Sequence, residues 1–205
     1  MKRISRIEIS LLAAVVFSAV LSICSLNIEC GEIRSSVLRL HVLANSDSQY
    51  DQELKLKVRD RLLEVSEGMY SKAKTKEEAV SVTQSNLGLL QSEAEKVLRA
   101  NGCNDSVSVS LEECYFTTRT YGDVTLPAGD YQALRVIIGE GAGHNWWCVM
   151  FPPLCISPAS ENEAELEDVL SEEQLELVEG DGYEIKFKCV EMYEEFMQYV
   201  SDKVQ

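Results

Sequence analysis

Val37-Leu38-Arg39-Leu40-His41-Val42-Leu43, followed by Asn45-Ser46-Asp47-Ser48 and then Gln49-Tyr50-Asp51-Gln52-Glu53-Leu54, fixes how this chain is read. The first seven residues alternate, with Leu38, Leu40 and Val42 in phase, as a strand with a buried face requires. The next four are polar turn formers. Ser48 with Asp51 three residues on has the spacing of a capping box, with Asp in place of the usual Glu. Leu54, Val58, Leu62 and Val65 then recur at helical spacing, so a helix is expected from about Gln49 to Glu67, ended by Gly68.

Outward from there the pattern repeats and then changes. Thr75 and Glu78 have capping-box spacing, and Val80, Thr83, Leu87, Leu90, Ala94 and Val97 carry a second helix to Ala100, stopped by Asn101-Gly102. Strands are expected at Val107–Leu111, Tyr115–Thr120, Tyr131–Ile138 and Trp146–Phe151. The apolar end Val136-Ile137-Ile138 suggests a central strand, Pro127-Ala128-Gly129-Asp130 a turn, and Gly139-Glu140-Gly141-Ala142-Gly143 a mobile loop. Tyr183–Cys189 alternates like a further strand, and Glu191–Val200 reads as a helix. The expected fold is α+β: an antiparallel or mixed sheet with two amphipathic helices packed on one face. The expected units are residues 1–30, an export signal or membrane anchor; 31–36, a polar linker; 37–156, the α+β domain; 157–181, an acidic segment, mobile or an exposed helix; and 182–205, the last strand and helix.

The N-terminus sets the expected compartment. Lys2, Arg3 and Arg6 precede an apolar run from Ile9 through Leu26, the arrangement of a secretory signal or a single anchor. The basic flank stays inside and the remainder goes out, so the domain is expected to be secreted or membrane-anchored on the extracytoplasmic side. Small residues suited to signal peptidase fit only loosely at Ser22-Ile23-Cys24, which leaves cleavage open.

The formal net charge is −15, and Ser160–Glu184 holds eleven acidic residues with no Lys or Arg. Such a chain is repelled by nucleic acid, so no nucleic-acid partner is expected. Seven cysteines include no CxxC pair, so neither a zinc ribbon nor a thioredoxin-type site is indicated. Cys148 and Cys155 have six residues between them. In an exported protein they could close a disulfide loop, and the other reading is two buried thiols packed as small hydrophobes.

Catalytic chemistry has few carriers. His144 with Cys148 or Cys155 could form a base and a thiol nucleophile, but no orienting third group or hydrolase signature accompanies them. The glycine loop lacks the Lys-Ser/Thr of a phosphate-binding loop. Asp47 and Asp51 with one hydroxyl are too few donors for a cation. No catalytic residue, metal or cofactor is therefore expected. Trp146 and Trp147 are adjacent and should point to opposite faces of a strand, one available as an interface anchor or both in the core. The expected partner surface joins Asn45, Ser46, Asp47 and Asp51 of the turn to Gly141, Asn145, Trp146 and Trp147 of the loop.

Two stretches carry a family likeness. One is Leu38–Ser48 continuing to Asp51–Lys55 and Val58–Asp60. The other is Tyr121-Gly122, Pro127–Tyr131 and Gly139 through Trp146-Trp147-Cys148 to Cys155. Over about residues 37–155 the chain resembles the stage II sporulation protein R family. The resemblance implies a non-enzymatic signal, made in the forespore and exported into the space between the forespore and mother-cell membranes. There it would activate a membrane-embedded aspartic protease of the mother cell, which cleaves the precursor of sigma factor E. The competing reading is an extracytoplasmic thiol-dependent hydrolase.

Overall fold

The computed structural model describes residues 6–153, 169–179, 187–188 and 191–192. Its elements run α1 (Arg6–Ser36), β1 (Leu38–Leu43), α2 (Gln49–Tyr70), α3 (Lys76–Ser85), α4 (Leu87–Ala100), β2 (Val107–Phe116), β3 (Arg119–Tyr121), β4 (Val124–Leu126), β5 (Gly129–Ile138), β6 (Asn145–Phe151) and α5 (Glu172–Glu179). The main sheet has the order β2-β5-β1-β6, with β1 parallel to β5 and the other neighbours antiparallel, so it is mixed. β5 is interior, as its apolar end requires, and β3 and β4 form a separate hairpin.

Alternation along β1 divides the core in two. Leu38, Leu40 and Val42 face α2, α3 and α4, meeting Leu54, Val58, Leu62, Leu90, Ala94 and Leu98. The opposite face is not open to solvent. Cys30, Ile33 and Val37, Leu126 of the hairpin, and Leu177 and Val178 of α5 cover it and enclose Phe116, Tyr131 and Val149. Helices on one face only was therefore an incomplete expectation. Three further elements cover the second face: the end of α1, which read as a polar linker, the hairpin, and α5, whose apolar residues lie within an acidic run.

Several boundaries differ from the sequence reading for local reasons. Residues 31–36 are the last turns of α1 rather than a linker, because Ile33 is buried there and Arg34 Nη1 donates to the Ala128 carbonyl at 2.8 Å. The expected second helix is two, divided at Asn86, whose amide donates to Val82 O at 2.8 Å and competes with the helical ladder. Part of the acidic segment is α5, packed through Leu177 and Val178 and fastened by Gln174 to Glu32 at 2.9 Å. Of the expected strand Tyr183–Cys189 only Phe187 and Lys188 are described, and both are helical.

The caps follow the sequence. Asp51 N–H donates to Ser48 Oγ at 3.1 Å, and Glu78 N–H to Thr75 Oγ1 at 3.3 Å. α2 does not stop at Gly68 but continues to Tyr70, where the phenol shares a 2.6 Å hydrogen bond with Thr83 of α3. Gly68 and Gly88 thus sit inside helices, with nothing within 4 Å of a Cβ built on either. Replacing each by Ala is expected to stabilise the fold by about 0.5–1 kcal/mol per site, read as a rise in urea midpoint at constant slope.

Candidate functional site

The turn after β1 and the loop before β6, which the sequence placed in one surface, are in direct contact. Ala142 N–H donates to Asn45 O at 3.2 Å, Gly143 N–H to Ala44 O at 3.0 Å, and Glu140 N–H to Asn45 Oδ1 at 3.0 Å. His144 N–H donates to Asp47 Oδ1 at 2.6 Å, and its ring Nδ1 meets the same oxygen. Lys55, 4% exposed, reaches from α2 and donates to His144 O at 2.8 Å and Gln52 Oε1 at 2.6 Å. The loop is fastened at both ends and along its middle, contrary to the mobile loop expected.

Glycine is needed at specific places in this clasp. Gly141 has φ +62, and a Cβ there would press on Ile137 Cγ2. Gly143 lies so close to the turn that a Cβ would overlap the Ser46 carbonyl, a backbone atom with little room to yield.

The acids of the turn already have donors. Asp51 accepts from Ser46 Oγ and, at 3.4 Å, from Asn45 Nδ2. The His144 ring and N–H hold the exposed Asp47 carboxyl below the usual carboxylate range. Burial pushes the Lys55 ammonium down while Asp47 pulls it up. These contacts make a preorganised polar ridge.

The two tryptophans point to opposite faces, each half-buried and each beside an arginine. Trp146 packs against the α2–α4 core with the Arg59 guanidinium carbon 4.3 Å from its ring centroid. Trp147 stacks on His41 of β1 at 3.8 Å and 13°, with Phe116 edge-on at 4.6 Å and Arg119 at 6.0 Å. Neither is a wholly exposed anchor; each shows an edge at the end of β6, beside the exposed Asn145. Cys148, behind them, is fully buried and disulfide-bonded, so it presents no thiolate nucleophile. Cys155 lies outside the described residues.

Beneath Trp147 lies a buried polar pair that the strand pattern missed, because only Leu38, Leu40 and Val42 advertised a buried face. Arg39 is fully buried, with its guanidinium carbon 4.1 Å from the Phe116 centroid, 4.7 Å from Tyr131 and 5.4 Å from Tyr121. Its Nε donates to Cys148 O at 3.3 Å and its Nη2 to the Tyr121 hydroxyl.

His41 is 6% exposed, and burial lowers its pKa to about 4, against an opposing pull from Asn145. The unfolded side chain titrates near 6.5, so between pH 6.5 and 4 the unfolded state binds a proton that the fold refuses. The contribution of this site is complete above pH 6.5 and is lost as pH falls through that window. His41→Phe is expected to remove this acid sensitivity, seen by comparing urea midpoints at pH 7.5 and pH 5.

The arrangement defines a mixed-sheet α+β domain bearing a rigid turn-and-loop ridge at one end of its sheet. No solved structure matches it. Residues 34–161 match the family model of stage II sporulation protein R. The stage II sporulation protein R of Bacillus subtilis (strain 168) is 37% identical over 180 residues, covering 78% of this chain and 80% of that protein. The chain belongs to the stage II sporulation protein R family.

Proposed function

We propose that this protein is an extracytoplasmic, non-enzymatic signalling ligand of sporulation. It binds and activates a membrane-embedded aspartic protease of the mother cell and so triggers processing of pro-sigma-E. Membership of the sporulation family supports the developmental setting. The observation that carries the ligand reading is the clasp of Asn45–Asp51 against Gly139–His144. A loop fastened this firmly is preorganised to bind a partner without a large ordering cost. Binding preferentially to the active arrangement of the protease would shift its population.

Among the described residues no helix is long and apolar enough to cross a membrane. The basic head and apolar run from Ile9 to Leu26 still read as an export segment, and Leu11, Leu12, Val15 and Phe17 are exposed, with no protein core to bury them. Secretion into, or anchoring within, the space between the two membranes follows from that reading.

The test is complementation of sporulating cells that lack their own copy, with the full chain and with a chain lacking residues 1–25. That deletion spares the buried Cys30 and Ile33. The full chain should restore pro-sigma-E processing, and the shortened chain, retained where it is made, should not. Restoration by a retained, leaderless chain would overturn the extracytoplasmic reading.

A further inference from the structure

The two ends of the main sheet are finished differently. β6 is seven residues long, has a register irregularity opposite Leu38 and Arg39, and runs into Pro152-Pro153, whose nitrogens carry no proton to offer. Shortness, irregularity and proline are the devices by which edge strands avoid pairing.

β2 has none of them. It is ten residues long and pairs with β5 in unbroken register from Val107↔Ile138 to Phe116↔Gly129. Its sequence, VSVSLEECYF, contains no Lys, Arg or Pro. Among the described residues no strand lies on its outer side from Val107 to Cys114. A regular edge open from Val107 to Cys114 is a ready template for another chain.

The charge along it selects the partner. Asp105 just before the strand and Glu113 on it are exposed acids, while Glu112 is already paired with Arg135 at 2.7 Å. At the strand's start lies a recess of about 370 Å³, lined in part by Asp105 and Val107 and by Glu95, which is already paired with Arg99 at 2.8 Å, so among the described residues Asp105 is its acid without an ion-pair partner. A second copy of this chain, at −15, would meet like charge there.

We propose that the outer edge of β2 is a docking edge for an extended segment of a partner protein bearing Lys or Arg, which joins the sheet as a further strand. Backbone pairing supplies the affinity, and the acids along the edge supply the choice of sequence. This edge is separate from the turn-and-loop ridge, although Gly139 N–H donates to Ser106 O at 2.8 Å and joins the two.

The test uses isotope-labelled full chain in neutral detergent micelles and three kinds of capped decapeptide probe. These are alternating Lys/Val, alternating Glu/Val, and Lys/Val with N-methyl groups on alternate residues in either phase. The Lys/Val peptide should shift the backbone amides of Val107–Cys114. The Glu/Val peptide should not bind, and only one N-methylated phase should retain binding. Asp105→Lys with Glu113→Lys, both exposed positions, should weaken the Lys/Val peptide about tenfold or more. Absence of β2 shifts would overturn the proposal. So would equal binding of both N-methylated phases, which means charge without strand pairing, or peptide-independent self-association through β2.

Discussion

Arg39→Ala is expected to cost about 3–5 kcal/mol. The guanidinium fills the space between Phe116, Tyr121 and Tyr131, and its removal opens a cavity where three rings lose a common neighbour. It also withdraws the donors that serve Cys148 O and the Tyr121 hydroxyl. The side chain has an opposing contribution. Its Nη1 is buried without a hydrogen bond, and no carboxylate is paired with it among the described residues, so a desolvated charge is carried at a cost. Arg39→Met keeps most of the volume and discards the charge, and should therefore recover most of the loss, to within about 1.5 kcal/mol of the natural chain. Urea unfolding of the three chains at one pH decides it. Equal losses in Ala and Met would mean that the cation, and not its packing, holds the second face.

How far the sequence could be read follows from the same residues. The helix side of the sheet was legible because its signals are periodic and local: Leu38, Leu40 and Val42 along the strand, Leu54, Val58 and Leu62 along α2, and Ser48 and Thr75 at the caps. The second face was not. Its strand positions include Arg39 and His41, which read as solvent-facing, and its cover comes from the end of a helix whose start reads as an export segment, from the β3–β4 hairpin and from a helix inside an acidic run. Leu177 and Val178 become visible as a packing stripe only once the neighbouring carboxylates are set aside as the outer face of a helix. At the ridge, the polar turn and the glycine loop were each legible as surface features. Their hydrogen-bonded contact was not, because Asn45 to Glu140 and Asp47 to His144 are pairings far apart in the chain that no local pattern encodes.

On the proposed signalling role, Gly143→Val is expected to cut pro-sigma-E processing at least tenfold while the domain remains folded. A side chain there must occupy the position of the Ser46 carbonyl and also presses on Gln52 Nε2, 2.9 Å from the Cβ. Side chains yield easily, but the Ser46 backbone is fixed by the turn that caps α2, so it is the loop that has to leave. Once displaced, it gives up Gly143 N–H to Ala44 O, both contacts of His144 with Asp47, and the Lys55 bond to His144 O. Lys55 is then left buried with only Gln52 as a partner, and the strain and lost bonds together should cost about 1–3 kcal/mol of stability. That is well short of unfolding a domain whose two cores do not involve the loop. Gly88→Ala, which meets nothing, serves as the matched control and should signal normally. The separating measurement is amide exchange: Ala142, Gly143 and His144 should lose protection in Gly143→Val while Leu40, Val136 and Leu134 keep theirs. If the loop is freed in this way and pro-sigma-E is still processed at the normal rate, the ridge is not the surface the partner reads.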